Sequence, residues 1–144
     1  MSIIKGKQEV IMGIFGKIAL EAIELFDSGE AKDITEAWDK VVEKKGSSTA
    51  QKGCPKGAFL GLCEEGMVKG IPPGSYTASE KNKQYAIKAV DLLRRIESEK
   101  GIPAKQVVNQ ISKGKFWEKI APDKKENGQL DVVFTLVKEN LIEL

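Results

Sequence analysis

A basic loop near the middle of the chain, residues 46–56, leads directly into a predicted helix. Its residues with chemical potential are Ser47, Thr49, Lys52, Gly53, Cys54 and Lys56. The free N–H groups and the dipole of a helix N-terminus favour an anion, and lysines beside them add positive charge. The loop is therefore a candidate site for a phosphate-bearing ligand, in either an enzyme or a phospho-ligand binder.

The same loop departs from the common phosphate-binding pattern. It does not contain G-x-x-x-x-G-K-[ST], no predicted strand precedes it, and Pro55 lacks the N–H group that an anion would need. A solvated loop whose serine and threonine side chains cap the following helix is the simpler explanation of these residues. We favour this structural interpretation over an anion site.

The thiol of Cys54 is a separate chemical feature of the loop. A cysteine at a helix start, between Lys52 and Lys56, lies where a thiolate is favoured. The apolar neighbours Phe59 and Leu62 instead favour a half-buried, unreactive thiol, and that is the outcome we expect.

A second candidate site surrounds Gly101. A long predicted helix, a glycine turn and a second helix over residues 90–115 resemble a helix-turn-helix in outline. The residue types that contact base edges and phosphates in such a motif are Lys105, Gln106, Asn109 and Lys113. Glu97 stands where a small residue is usual, Gln110 stands where an apolar one is expected, and the net charge is only +2. DNA binding is therefore an alternative, and two packed helices with polar outer faces are the simpler interpretation.

The chain contains no histidine. This excludes Ser-His-Asp and Cys-His nucleophilic catalysis as well as histidine-ligated metal sites. Because the chain also has only two cysteines, a structural zinc site is excluded in practice. We predict no catalytic residues, no metal and no cofactor, and we expect a binding module rather than an enzyme. Its partner would be a protein or a small anionic ligand.

Several features indicate a cytoplasmic protein without a membrane partner. No apolar run reaches the roughly 18 residues that span a bilayer, and the N-terminus lacks the order of a secretion signal. Cys54 and Cys63 lie on opposite sides of one predicted helix, so they cannot form a disulfide. Two unpaired thiols suit a reducing compartment.

The spacing of apolar residues predicts an all-α fold: a single domain, residues 1–144, of five or six helices. The predicted helical segments are 7–26, 33–46, 55–65, 77–100, 102–112 with a further turn at 116–120, and 130–144. Asp33 with Glu36, and Thr77 with Glu80, have capping-box spacing at two of the starts. Lys113-Gly114-Lys115 is read as an interruption.

The short helix over residues 55–65 is predicted to pack at the centre of the fold. Gly57 and Gly61 lie four residues apart and leave one side without side chains, where another backbone can approach closely. The remaining sides are mostly apolar, which is typical of a buried helix. After it, Pro73-Gly74 is predicted to form a type II turn in which glycine supplies a positive φ.

The stretch KGCPKGAFLGLCEEGMVKGI resembles the signature of a small, uncharacterised bacterial domain family. The resemblance extends from Lys52 to slightly beyond Asn82. It implies a bacterial protein with no known activity, and it assigns no catalytic residues.

Overall fold

The computed structural model describes residues 13–46, 53–77, 79–142 and 144. These residues form seven helices: α1 (Gly13–Asp27), α2 (Ile34–Lys45), α3 (Gly53–Glu64), α4 (Glu80–Lys100), α5 (Ala104–Gln110), α6 (Lys113–Glu118) and α7 (Gln129–Lys138). Over the described ranges no strand is present, and an isolated antiparallel bridge joins Val68 to Ile142. No helix in these ranges is both long and apolar enough to cross a bilayer. The predicted all-α class is confirmed, whereas the prediction of five or six helices is too low.

The additional helix is α6, where the sequence suggested an interruption followed by a single turn. Ser112 is its N-cap, and the Ser112 hydroxyl accepts a hydrogen bond from the Lys115 N–H at 3.2 Å. A serine side chain that satisfies an N–H group of the first turn stabilises a new helix start. Lys113, Gly114 and Lys115 therefore form the first turn of α6 rather than a break.

Other helix ends also differ from the prediction, and two of them have a clear local cause. The cap of α4 is Ser79 rather than Thr77, and Ser79 accepts from the Asn82 N–H at 3.4 Å. The C-terminal helix ends at Lys138, because Asn140 takes a left-handed conformation (φ 59°) and the chain leaves the helix axis. The Leu141 carbonyl then accepts from the Lys69 N–H at 2.8 Å, so the tail packs on the segment that follows α3.

The core is built around α3 and α7. Residues 57–63 of α3 are all buried, and so are residues 129–137 of α7. Ring contacts connect α2 and α6 to this centre: Trp38 stacks on Phe59 at 5.2 Å, and Phe116 meets Phe134 edge-on at 5.1 Å. The predicted central position of the glycine-bearing helix is confirmed, and it shares that position with α7.

The two glycines of α3 allow α4 to approach closely, as the sequence predicts. A Cβ atom added at Gly61 would lie 2.5 Å from the Lys83 Cβ and 2.7 Å from the Lys83 Cα. At Gly57 it would lie 2.9 Å from the Ser79 Cβ. These distances are shorter than van der Waals contact, so any larger residue forces the two helices apart.

An ionic clamp joins the end of α3 to α4 and to the loop between them. The Lys83 ammonium donates to Glu64 at 2.5 Å and to Glu65 at 2.7 Å. The second oxygen of Glu64 accepts from the N–H groups of Tyr76 (2.8 Å) and Thr77 (3.1 Å). These bonds, first of all the one from Lys83, lower the pKa of Glu64 to about 2. The two carboxylates raise the pKa of Lys83. The end of α3 is thereby attached to α4 and to the loop.

The predicted type II turn at Pro73-Gly74 is wrong. Gly74 does not have a positive φ. A Cβ atom at this position would lie 3.0 Å from the ring of Tyr76, whose hydroxyl donates to the Pro72 carbonyl at 2.6 Å. Gly74 is required for the space that the tyrosine ring occupies, not for its backbone conformation.

We predict that Gly61→Ala lowers the free energy of unfolding by roughly 1–3 kcal/mol, because the new methyl group overpacks against the backbone of Lys83. Urea unfolding measures this change. Gly114→Ala is the matched control, since no atom lies within 4 Å of its added Cβ, and it should be neutral or slightly stabilising. Equal stability of the two variants would contradict the close crossing.

We predict that Glu64→Gln lowers the melting temperature at pH 7. The folded pKa of about 2 lies below the ordinary value of 4.5, so the stability that Glu64 contributes is present above about pH 4.5 and is lost towards pH 2. The difference between wild type and variant should therefore narrow over that interval in thermal unfolding. Glu65→Gln, at a carboxylate that is 47% exposed, should have a smaller effect. A difference that stays constant with pH would argue against the clamp.

Candidate functional site

The structure describes half of the predicted anion site. Ser47, Thr49 and Lys52 lie outside the described residues. Gly53 is the exposed first residue of α3, and Cys54 is half-buried. The Lys56 ammonium binds the Asp39 carboxylate at 2.8 Å, which uses one of the cations expected to hold an anion. The anion site stays a prediction.

The thiols on α3 lie as the sequence predicts. Cys54 and Cys63 are both free, and Cys63 is completely buried. Burial raises the pKa of the Cys63 thiol. Cys63 therefore belongs to the core.

The structure distributes the predicted DNA-contacting residues over two helices. Lys105, Gln106 and Asn109 are exposed on α5, at positions i, i+1 and i+4 of one helix face. Lys113 is half-buried at the start of α6, and its positive charge is close enough to Asp131 to lower the pKa of that carboxyl group. The helix that would enter the groove of DNA has seven residues.

A groove lies beside this segment, between the second half of α4 and the helices α5 and α6. Gly101 ends α4 in a left-handed conformation (φ 66°), where glycine is favoured. The Glu97 carboxylate of α4 then accepts from the Ala104 N–H at 3.0 Å and satisfies the first turn of α5. This short connection makes α5 fold back towards α4, and the space left between them has a volume of about 690 Å³.

The floor of this groove is apolar. It is formed by Leu92, Ile96, Ile102, Val107 and Ile111. Val107 is buried, whereas the other four are partly buried and pack on the core with one side only. Their second side faces the groove. A concave apolar surface of this kind marks a binding site more often than scattered exposed side chains do.

The rim of the groove is basic. Its charged residues are Arg95, Lys100, Lys115 and Lys119, with Glu99 as the acid among them. All are exposed, and the four cations form no ion pair with any other described residue. We call the apolar floor and this rim together the basic groove.

A second groove, of about 730 Å³ between α1 and α2, has the opposite character. Its acids are Glu21, Glu24, Glu30 and Glu43. Here the acidic charge is partly offset within the chain, since Lys45 pairs with Glu21 at 2.8 Å and Lys40 and Lys44 also line the groove. Among the described residues, no group of three or more carboxylates or thiols is placed to hold a metal ion. We call this surface the acidic groove.

Asp131 is a buried carboxyl group that sequence reasoning did not identify. Its Oδ2 accepts from the N–H groups of Phe15 and Gly16, both at 3.0 Å, and so holds the start of α1 against α7. Its Oδ1 is buried without a hydrogen-bond partner. Burial raises the pKa of Asp131 to about 6, against the opposing effect of these N–H groups and of Lys113. Its environment explains a structural role, because both N–H groups belong to a helix start.

A model of the family of unknown function DUF6979 matches residues 12–143. The chain belongs to this family. The match spans all seven helices and agrees with the predicted resemblance to an uncharacterised domain family. Comparison with curated proteins and with solved structures gave no significant match.

The basic groove of this DUF6979 domain was missed in the sequence because its floor looks like core. Ile96 and Ile111 have the helical spacing of buried residues, and periodicity does not distinguish a core face from an open groove. Arg95, Lys115 and Lys119 form no recognisable motif in the chain. The one available signal was the clustering of basic residues on both sides of Gly101.

We predict that Asp131→Asn removes a pH dependence of stability. The folded pKa of about 6 lies above the ordinary value of 3.8, so the contribution of Asp131 is largest below about pH 4 and is lost as the pH rises through about 6. Between pH 4 and pH 7 the free energy of unfolding of wild type should fall by on the order of 1–3 kcal/mol more than that of the variant. Urea unfolding at pH 4 and pH 7 measures it, with the exposed Asp123→Asn as control. Parallel pH profiles for wild type and Asp131→Asn would refute this.

Proposed function

We propose that this protein is a small, non-catalytic binding module and that the basic groove is its binding site. One observation carries the proposal: four cations without ion-pair partners among the described residues surround an apolar floor. A ligand that covers half-buried apolar side chains removes their surface from water, which makes the free energy of binding more favourable. Unpaired cations attract a ligand with negative charge. The matching ligand therefore combines apolar groups with anionic ones.

The two carboxyl groups with strongly altered pKa values support binding rather than catalysis. A strongly altered pKa in a cleft often marks a catalytic acid or base. Here Glu64 binds Lys83 and the loop after α3, and Asp131 binds the start of α1. Both values have a structural cause, and neither residue lines the basic groove.

DNA binding through residues 90–115 is the second candidate. The observation in its favour is the shared exposed face of Lys105, Gln106 and Asn109 on α5. We rank it lower because Arg95 and Lys115 border a concave apolar surface, whereas duplex DNA needs a protruding element that enters a groove. A phospho-ligand at the basic loop, residues 46–56, ranks third, since Lys56 is paired with Asp39.

We also propose that the protein works in the cytoplasm. The support is chemical: Cys54 and Cys63 are both free, and unpaired cysteines of this kind are typical of a reducing compartment.

A dye titration tests the proposed site. We predict that the apolar anion 1-anilinonaphthalene-8-sulfonate binds the folded protein at one site, shifts the backbone amide resonances of residues 92–119, and binds less tightly in high salt. Ile96→Ser and Lys115→Glu should each weaken binding by about tenfold, because one removes apolar contact and the other reverses a rim charge. Near-ultraviolet circular dichroism, which reports on the packing of the tryptophan side chains, checks that the variants remain folded.

Leu25→Ser is the matched control, because Leu25 lies in the acidic groove, which has a similar volume. It should leave dye binding unchanged. Dye binding that is unaffected by Ile96→Ser and Lys115→Glu, or that maps to α1 and α2, would refute the proposed site.

A further inference from the structure

We propose that the occupant of the basic groove is an amphipathic α-helix of a partner protein, with apolar residues along one face and carboxylates on both flanks. This inference rests on the proposed function of the groove and adds the class of partner to it.

The elements that form the groove favour a helical ligand. Addition of a peptide strand needs a free sheet edge, and the described residues contain no strand to supply one. Recognition of a proline-rich peptide needs a groove lined by aromatic rings, and none of the described side chains in this groove is aromatic. Of the modes of peptide recognition that fix the secondary structure of the peptide, the one left is an amphipathic helix laid into an apolar groove between helices.

The length of the groove fits about two turns of such a helix. The side chains that α4 contributes include Leu92, Arg95, Ile96 and Glu99, at positions i, i+3, i+4 and i+7 of one helix face. At 1.5 Å per residue this face extends about 10 Å. A partner helix presents its own anchors at the same spacing, so its apolar side chains can enter between Ile96 and Ile111.

The charge of the rim requires carboxylates on the flanks of the partner. Arg95 and Lys100 lie on the α4 side, and Lys115 and Lys119 lie on the opposite side. A helix with acidic residues on both sides of its apolar stripe meets cations on both rims. Nucleic acid would match the cations but not the apolar floor, because its bases need aromatic rings for stacking. A bilayer needs protruding apolar residues, whereas those of the floor are recessed and partly buried.

Binding of designed peptides tests the inference. The probe is a fluorescein-labelled helix of about 14 residues with leucine at i, i+3, i+4 and i+7 and mostly glutamate elsewhere. One control peptide has lysine in place of glutamate, and another has the same composition with its leucines spread around the helix. In fluorescence anisotropy, the wild-type protein should bind the acidic amphipathic peptide, at least tenfold more tightly than either control.

Charge reversal on the protein provides the sharper test. The double variant Lys115→Glu, Lys119→Glu should bind the acidic peptide about tenfold more weakly than wild type and bind the lysine peptide more tightly. Arg95→Glu with Lys100→Glu should do the same from the other rim. Lys105→Glu makes the same kind of charge change at an exposed position outside the groove, and it should leave peptide affinity unchanged.

Several outcomes would overturn the inference. Equal binding of the peptide with dispersed leucines would refute a helical ligand. A protein partner would be refuted if the peptides do not bind and duplex DNA binds tightly, with Lys105→Glu weakening the DNA complex. It would also be refuted if the peptides do not bind and phosphatidylglycerol vesicles do. Self-association through the groove, detected by sedimentation, would identify a second copy instead. In each case dye binding at Ile96 would still support the proposed site, whereas failure of the dye as well would refute both.

Discussion

The close crossing of α3 and α4 is the contact on which the rest of the structure depends. Gly57 and Gly61 bring the two backbones so near that Lys83 reaches the end of α3 and binds Glu64 and Glu65. This position fixes the long helix α4 against the core. Because α4 also forms one wall of the basic groove, the absence of two side chains in α3 determines where that groove lies.

A second constraint comes from buried polar groups at the start of α7. Gln129 donates to Asn82 at 3.0 Å and so connects α7 to α4, while Asp131 connects α7 to α1. A buried polar group that loses its partner costs roughly 1–3 kcal/mol, so these bonds disfavour other alignments of the same helices. Apolar packing gives the core its stability, and these few bonds select one arrangement of it.

The parts of this fold that the sequence predicted are those with local causes. The Asp33 cap bonds the Glu36 N–H at 2.8 Å, and Gly46 and Gly101 end α2 and α4 with positive φ. Each depends on a few adjacent residues. The close approach of another helix at Gly57 and Gly61 could also be predicted, because a helix side without side chains is rarely present unless another backbone packs against it.

Features that depend on distant residues were not predicted. The ion pair between Lys83 and Glu64 joins residues 19 positions apart on two helices, and no local pattern in the sequence indicates it. Ile96 and Ile111 have the spacing of core residues, and only the arrangement of α4, α5 and α6 shows that one side of each faces a groove. The candidate site was therefore less predictable than the fold, because it is a property of tertiary packing.

The burial of α7 has a consequence for how the protein is made. Residues 129–137 form the centre of the core, yet they follow all six of the other described helices. During synthesis, α1 and α4 leave the ribosome before the helix that covers their apolar faces exists. The nascent chain therefore exposes those faces until residues 129–138 emerge, and exposed apolar surface of this kind is prone to aggregation. Completion of the domain depends on its last long helix rather than on its first.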